Sequence, residues 1–367
     1  MRECLAEIEE CLEKGWTGLG FKTLAIEKAW CEYTGLPHSH FLSSATAGLH
    51  LATKIFKEVD GWSEGDEVIS TPLTFVSTNH AIRYEGLRVS FADVDDYLCL
   101  DPEAVERRIN PRTRAVMFVG MGGSTGQLGR IMEVCRAHSL RLIVDAAHMS
   151  GTLLHGETPG QGADAIVYSF QAVKNLPTAD SGMICFRDGG LDKIVRQQSW
   201  LGIDKDTYSR STATAGAYKW LYSVPHLGYK YHGNSIIAAL ALVQLRYLDQ
   251  DNAYRRQIAT WYDEGLRGDN RISLVPMPEG CQSSRHLYQI LVENRDELIL
   301  AMNNEQTYPG VHYRDNTEYP MYEYASGSCP RARKVSNSVI SLPLHLRLQR
   351  SDVLRIVECV LRNAGGR

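Results

Sequence analysis

Short apolar runs alternate with amphipathic segments along the first half of the chain. The run LRLIVD ends in Asp145, and the run AIVYSF is followed by a loop that carries Lys174; both runs are typical of buried strands. Between such runs, apolar residues recur at helical spacing, for example over residues 75–84 and 128–138. This alternation predicts an α/β fold, in which a mostly parallel central sheet carries helices on both faces.

The pattern changes near residue 249. It predicts helices over residues 234–249 and 254–267, a strand over residues 287–292 and a terminal helix from Ser351. We therefore expect a large domain, residues 1–249, and a smaller C-terminal α+β domain, residues 250–367. A helix within residues 1–17 is a candidate to pack on the small domain.

Residues 200–231 form an aromatic arm within the large domain, just before the predicted helix at residues 234–249. The arm holds seven of the 32 aromatic residues of the chain, interleaved with basic residues, and it has few aliphatic ones. This composition favours a subunit interface or a segment that covers a ligand. An exposed hairpin is the alternative.

Asp145 and Lys174 are the first candidates for chemistry. In a parallel sheet both would lie at the carboxyl edge, where open α/β sheets bind their ligands. A buried lysine can lose its proton and form a Schiff base with a carbonyl, and a carboxylate can keep a pyridine nitrogen protonated. A structural ion pair between the two residues is an equally simple interpretation of their positions.

Two further segments have the composition of phosphate sites. The run SSATAGLHLA, residues 43–52, places small and hydroxyl-bearing residues at a helix start, which suits a phosphate, although a plain helix cap has the same composition. The loop GMGGSTG, residues 120–126, resembles a dinucleotide-binding fingerprint. However, Thr125 occupies the position of the third glycine in the G-x-G-x-x-G pattern. Asp145, which would be the acidic residue that binds the ribose, lies further along the chain than the usual spacing.

Composition narrows the class of protein. The net charge of −4 gives no basic footprint for nucleic acid, and nine scattered cysteines without a C-x-x-C pair predict reduced thiols and no zinc site. The amino terminus, MRECLAEIEE, lacks the apolar core of a secretory signal, and the most apolar stretch, residues 235–243, is too short to span a membrane. We therefore expect a cytoplasmic protein without metal, membrane or nucleic-acid partner.

Several ordered motifs together resemble the DegT/StrS family of pyridoxal-phosphate (PLP) sugar aminotransferases. The resemblance extends from residue 18 to residue 345, and its most specific pieces are SATAGLHLA, GDEVISTPLTFVSTNHAI, FADVD, INPRTRAV, VDAAHMSG, YSFQAVKN, LGIDKDTYSRS and LGYKYHGN. It implies the fold type I aminotransferase architecture and pyridoxal 5′-phosphate as cofactor. By this resemblance Lys174 is the Schiff-base lysine and general acid/base, and Asp145 pairs with the pyridine nitrogen.

The same resemblance assigns roles to further residues. Phe75 is expected to stack on the cofactor ring and His148 to lie near the ring hydroxyl, although core packing and a structural histidine are the plainer interpretations. The cofactor phosphate is assigned to Ala45, Thr46 and Ser169, with Lys230 reaching it from the neighbouring subunit. The substrate-binding residues are expected to be Trp16, Phe21, His312 and Tyr313.

The resemblance implies a homodimer with shared active sites. Its reaction would transfer an amino group, with L-glutamate as the expected donor, to a keto group of a nucleotide-linked sugar in amino-sugar or polysaccharide biosynthesis. Alternatives are a keto-cyclitol aminotransferase, a PLP-dependent sugar dehydratase, an NAD oxidoreductase and a regulator that binds PLP or a sugar without turnover. Dehydratases of this family replace the lysine with histidine, so Lys174 argues against that branch.

The chain departs from the family pattern at three places. Residues 178–182, TADSG, replace the usual glycine-rich turn, Lys230 stands where most members have asparagine, and His232-Gly233 replaces Arg-Met or Asn-Met. These departures concern the substrate contacts more than the cofactor chemistry.

Overall fold

The computed structural model describes residues 1–205, 208 and 221–365. The middle of the aromatic arm, residues 206–207 and 209–220, therefore lies outside the described residues, and so do residues 366–367.

The predicted central sheet is present and has seven strands. In chain order its strands are β1 (His38–Leu42), β2 (Glu67–Ser70), β3 (Arg88–Phe91), β4 (Thr113–Val119), β5 (Arg141–Asp145), β7 (Ala165–Ser169) and β8 (Gly182–Phe186). Their order across the sheet is β1-β8-β7-β5-β4-β2-β3, and β8 runs antiparallel to the other six strands. Val119 pairs with Asp145, and Asp145 with Val167, so the carboxyl ends of β4, β5 and β7 meet at one edge.

Helices cover both faces of this sheet, which confirms the predicted α/β class. They are α1 (Arg2–Glu13), α2 (Phe21–Thr34), α3 (Ala45–Asp60), α4 (Val76–Arg83), α5 (Pro102–Arg108), α6 (Leu128–Ala137), α7 (Gly189–Ser199) and α8 (Ser235–Leu266). Helix α3 begins at a Ser44 cap, whose Oγ accepts from the Ala47 N–H at 3.1 Å, and it ends at Gly61 in the left-handed region. In the part of the chain that the structure describes, no helix is long and apolar enough to cross a membrane.

A second, smaller core lies near the carboxyl terminus. Strands β9 (Ser273–Leu274), β11 (Tyr288–Leu291) and β12 (Val339–Leu342) form an antiparallel sheet, and helices α9 (Arg295–Asn304) and α11 (Arg350–Asn363) lie against it. Its buried residues include Ile258, Tyr262, Ile290 and Val357. A two-stranded sheet of β6 (Leu153–Leu154) and β10 (Cys281–Gln282) links the two regions.

Helix α8 is a single helix of 32 residues, whereas the sequence pattern predicts two helices separated near residue 250. The prediction of two helices is wrong because the polar residues there do not end the helix. Asn252 is buried, and its side-chain Nδ2 donates to the Ser150 carbonyl at 2.9 Å. The proposed domain boundary at residue 249 thus falls inside a continuous helix.

The region after residue 310 also contributes to the large core. Tyr322, in the short 3₁₀ turn at Pro320–Ala325, is part of this core. So is Ala332, in helix α10 (Pro330–Ser338). Helix α1 contacts the first half of α8, where Cys11 lies against the Ser235 carbonyl and Arg246 Nη1 donates to Glu3 Oε2 at 3.1 Å. These contacts lie on the large-domain side of residue 249.

Candidate active site

Lys174 is held on the loop that joins β7 to β8. The Thr178 N–H donates to the Phe170 carbonyl at 2.9 Å, and the Lys174 N–H donates to the Gln171 carbonyl at 2.8 Å. Because β7 and β8 pair in antiparallel register up to Ser169 and Gly182, this loop is a hydrogen-bonded extension of the hairpin. The backbone around Lys174 is therefore fixed at the edge of the sheet.

The side chain of Lys174 reaches into a cavity and does not form a close ion pair with Asp145 there. Its Nζ lies 3.5 Å from Nε2 of His286. Burial lowers the pKa of Lys174 to about 8, although the negative charge of Asp145 acts in the opposite direction. At this pKa about a tenth of Lys174 is neutral at pH 7, and the neutral amine is the form that attacks a carbonyl.

Asp145 ends β5 and is buried beneath the same cavity. Its Oδ2 accepts from Thr78 Oγ1 at 2.8 Å, and its Oδ1 accepts from the Ala147 N–H at 3.1 Å. Burial raises the pKa of Asp145, while these two hydrogen bonds and the charge of Lys174 lower it. A cationic group placed in the cavity would stabilise this carboxylate.

The cavity has a volume of about 450 Å³, which is within the range of small-molecule sites. It is formed by strand ends of the central sheet, the starts of two helices and residues from the C-terminal region. Its lining includes Ser44, Ala45, Thr46, Phe75, Thr78, Asp145, His148, Ser169, Lys174, His286, His312 and Tyr313.

One end of the cavity is the amino terminus of α3. Ala45 and Thr46 form the first turn of this helix, where backbone N–H groups lack partners within the helix, and Ser169 lies beside them. Close packing holds the helix start in place: a Cβ on Gly182 would lie 2.6 Å from the Ala45 nitrogen. A helix start with adjacent hydroxyl groups is suited to a phosphate.

Phe75 stands at the mouth of the cavity and is 59% exposed, so the core-packing interpretation of this residue is wrong. Its ring centroid is 6.0 Å from that of Tyr313, which also lines the cavity. An exposed aromatic ring at the mouth of a cavity can stack on a planar ligand.

His148 and Tyr313 are joined by a hydrogen bond of 3.2 Å between Nε2 and the phenol oxygen. The Gly122 N–H donates to Nδ1 of His148 at 3.3 Å, and burial holds the pKa of this histidine well below its ordinary value. The neutral ring therefore carries its proton on Nε2 and donates to Tyr313, which leaves the phenol hydrogen available to the cavity. His312 lies nearby, where burial and Lys174 lower its pKa to about 4.

Three predicted site residues lie elsewhere within this chain. Lys230 Nζ lies 3.5 Å from the ring centroid of Trp200, and its side chain is exposed. Trp16 packs edge-on against Tyr208 with ring centroids 4.8 Å apart, and Phe21 lies beneath Lys14 and Lys22. None of these three residues is among those that line the cavity of this chain.

Sequence reasoning misses Thr78, which bonds Asp145, and His286, which lies next to Lys174. The position of His286 is the harder of the two to foresee. This histidine precedes β11 in the C-terminal region and lies 112 positions from Lys174 in the sequence. His286 lies in the loop before β11, and a loop has no hydrophobic periodicity from which its position could be predicted. Only the packing of residues 283–287 against the glycine-rich loop brings His286 into the cavity.

The glycine-rich loop at residues 120–126 is not a dinucleotide cradle. The Gly122 carbonyl accepts from the His286 N–H at 3.1 Å, and a Cβ on Gly123 would lie 2.4 Å from Ser284 Oγ. The space above the loop is thus filled by protein, and helix α6 begins only at Leu128. The described residues also contain no cluster of three or more metal-ligating side chains.

A family model for the DegT/DnrJ/EryC1/StrS aminotransferases matches residues 1–361. The chain belongs to this aminotransferase family. The match confirms the resemblance, the fold type and the class of enzyme that the motifs predict.

Individual relatives agree with the family assignment. The spore coat polysaccharide biosynthesis protein SpsC of Bacillus subtilis is 32% identical over 98% of this chain and 94% of its own. The aminotransferase PseC of Helicobacter pylori, which takes part in pseudoaminic acid biosynthesis, is 26% identical with a TM-score of 0.90, over 98% of this chain and 95% of its own. Spr1654 of Streptococcus pneumoniae, solved in its PLP form, is 27% identical with a TM-score of 0.87, over 98% and 95%. Members of the family are PLP-dependent.

Proposed function

We propose that this chain is a PLP-dependent aminotransferase that transfers an amino group from L-glutamate to the keto group of a nucleotide-linked sugar. The observation that carries the proposal is the shared cavity of Lys174 and Asp145. It offers a lysine with a pKa of about 8 and, beneath it, a buried carboxylate that has hydrogen-bond donors but no close cation.

The residues of the cavity fit PLP. The amino terminus of α3 with Ser169 suits the phosphate, Phe75 suits the face of the ring, and Asp145 suits the protonated ring nitrogen. His148 and Tyr313 are candidates for the ring hydroxyl. When bound, PLP supplies an aldehyde that joins covalently to amines and a ring that withdraws electrons from the attached carbon.

Lys174 has two tasks in this proposal. As a neutral amine it would join the cofactor. After the amino donor displaces it, Nζ would take a proton from the donor Cα and deliver it to the cofactor carbon that carries the aldehyde in free PLP. A pKa near 8 suits both tasks, because the free amine can accept a proton and the ammonium can give it up at physiological pH. When the keto sugar binds in the second half-reaction, Lys174 would carry out the same proton transfers in the reverse order.

A sugar acceptor is supported by the relatives. SpsC is a polysaccharide biosynthesis protein, and PseC acts in pseudoaminic acid biosynthesis. Lys174 supports an aminotransferase over a dehydratase. A keto-cyclitol acceptor is the second candidate, because it would offer the site the same ring ketone.

We further propose a cytoplasmic homodimer in which each subunit completes the other's site. Three apolar side chains in the described part of the arm are strongly exposed: Leu221 by 64%, Val224 by 57% and Leu227 by 82%. Such a patch is typical of an interaction surface. Lys230 follows it directly, so a partner subunit could bring this cation to the phosphate end of the cavity.

Two half-reactions test the proposal. The PLP-loaded protein incubated with L-glutamate should release one equivalent of 2-oxoglutarate per site, and a keto-sugar nucleotide added afterwards should be aminated. Lys174→Ala is the matched control and should do neither. A protein that binds PLP but releases no keto acid from any amino donor would support the regulator instead.

A further inference from the structure

A chain of side-chain hydrogen bonds connects helix α8 to Lys174. Asn252 Nδ2 donates to the Ser150 carbonyl at 2.9 Å, and Asn252 Oδ1 accepts from Asn175 Nδ2 at 2.6 Å. Asn175 Oδ1 lies 2.9 Å from Nδ1 of His286. At the end of the chain, Nε2 of His286 lies 3.5 Å from Lys174 Nζ.

The direction of each bond in this chain is determined by its partners. The Nδ2 of Asn175 also lies 2.8 Å from the Ser284 carbonyl, which can only accept, so this atom is the amide nitrogen. The other atom of the amide, Oδ1, must then accept from His286 Nδ1. A neutral imidazole that donates through Nδ1 has its lone pair on Nε2, and this lone pair faces Lys174.

The surroundings of His286 keep its ring neutral. The side chain is 8% exposed, and its ring centroid is 4.3 Å from that of His148. Burial and the charges of Lys174 and Arg255 hold the pKa of His286 well below its ordinary value. The titratable groups that share the cavity with Lys174 are Asp145, His148, Asp180, His286, His312 and Tyr313.

We propose that His286 is a positioning residue, which accepts a hydrogen bond from Lys174 through Nε2 and so holds the free Nζ in place for proton transfer. Asn175 and Asn252 fix the tautomer that makes this possible. The proposal rests on the role of Lys174 in the proposed function. Because a neutral acceptor stabilises an ammonium donor more than a neutral amine, His286 also keeps the pKa of Lys174 from falling further.

The test uses two variants that carry the same amide on side chains of different length. In His286→Asn the amide can still bond Asn175 but is too short to reach Lys174. In His286→Gln the longer side chain restores an acceptor near the position of Nε2. His80→Asn is the control, because His80 bonds Tyr322 through Nδ1 at 2.7 Å and does not line the cavity.

The readout is the reactivity of Lys174 in the full-length protein without PLP. Limited acetylation with acetic anhydride over a pH series, quantified by mass spectrometry against the exposed Lys28, gives the midpoint at which Lys174 becomes reactive. We expect His286→Asn to lower this midpoint by at least about half a pH unit, a threefold change in the dissociation constant, and His286→Gln and His80→Asn to leave it within about 0.2. In the PLP-loaded protein, His286→Asn should lower kcat about tenfold with little change in KM.

Equal midpoints in wild type and His286→Asn, with both proteins folded by circular dichroism, would overturn the proposal. A shift of the same size in both amide variants would also overturn it, since a merely structural role does not depend on reaching Lys174. The acetylation result does not require turnover. It therefore separates a failure of this inference from a failure of the proposed function.

Discussion

Lys174 and Asp145 lie in one cavity, yet burial acts on them in opposite directions. It lowers the pKa of the lysine and raises that of the carboxylate, because it disfavours the charged form of each. Both shifts are partly offset: that of Asp145 by the hydrogen bonds from Thr78 and Ala147 and by the charge of Lys174, and that of Lys174 by the charge of Asp145. The cavity thus keeps a reactive amine and an ionisable acid side by side, both ready for a ligand that carries a cationic ring and an aldehyde.

The pKa of Lys174 predicts how reconstitution with PLP depends on pH. A decrease from 10.5 to about 8 increases the neutral fraction at pH 7 by roughly 300-fold. Only the neutral amine attacks the aldehyde, so the rate of covalent attachment should rise with pH and level off above about 8. Stopped-flow absorbance of the cofactor checks this. A rate that keeps rising up to pH 10 would mean that the lysine is solvated and unperturbed.

Replacement of Asp145 by asparagine should separate catalysis from stability. Its folded-state pKa is raised, so the ionised carboxylate disfavours folding above its ordinary pKa in the cofactor-free protein. Asp145→Asn should therefore leave the melting temperature without PLP unchanged or higher. Turnover should fall by about 10²–10³-fold, because a neutral amide does not hold the ring nitrogen protonated.

Calorimetry without PLP and steady-state rates with PLP measure these two effects. Wild-type turnover in Asp145→Asn would refute the assigned role. A lower melting temperature would mean that the hydrogen bonds from Thr78 and Ala147 to the carboxylate stabilise the fold by more than its burial destabilises it.

The residues of the site differ in how far the sequence predicts them. Asp145 and Lys174 are predictable because each follows a strongly apolar strand, and strand ends of a parallel sheet meet. The family motifs identify Phe75 and His148 as site residues, but they do not predict which residues surround them. His286 is not predictable from the local pattern, because its contact with Lys174 depends on how residues far apart in sequence pack.

At the scale of elements, the phosphate end depends on how closely α3 approaches β8. A Cβ on Gly182 would lie 2.6 Å from the Ala45 nitrogen, which is backbone and cannot rotate away. Gly182→Ala should therefore push the helix start outward. We expect a loss of about 1–3 kcal/mol in the free energy of unfolding and at least about tenfold weaker PLP binding.

Gly129→Ala is the matched control for this substitution. Nothing lies within 4 Å of a Cβ at Gly129, which is exposed in the first turn of α6. The same change there should be neutral or stabilise the protein by up to about 1 kcal/mol, since alanine favours a helix. Denaturant unfolding and an absorbance titration with PLP measure both variants. Equal behaviour of the two would contradict the account of the helix start.

The elements themselves are largely predictable, and α8 shows where prediction ends. The central strands and the α/β class follow from apolar runs and their alternation with helices. The polar stretch at residues 249–252 suggests a helix end, yet no glycine or proline interrupts it, and the helix continues. Asn252 is polar because it bonds Asn175 and the Ser150 carbonyl inside the protein, a role that only the tertiary structure reveals.

For the whole molecule, the proposed sharing of active sites predicts complementation between two inactive variants. Lys174→Ala removes the reactive amine. Lys230→Glu reverses the charge of the side chain that each subunit is proposed to contribute to the active site of its partner. The two chains, co-expressed with different tags and purified as heterodimers, place both defects in one site and leave the other intact. Such heterodimers should have about half of the wild-type activity.

Two measurements control this experiment. Each parent homodimer must be inactive and must elute as a dimer in size-exclusion chromatography, and a heterodimer of wild type with Lys174→Ala should also retain about half the activity. If each subunit builds its site alone, the mixed heterodimer contains two defective sites. Inactive mixed heterodimers would then rule out a shared site.

The proposed function requires that Lys174 is the residue that joins PLP covalently. Borohydride reduction of the PLP-loaded protein, followed by proteolysis and mass spectrometry, tests it directly. We expect the reduced cofactor on the peptide that contains Lys174, close to one equivalent per chain, and no such adduct in Lys174→Ala. An adduct on a different lysine, or none in a protein that has bound PLP, would contradict the account.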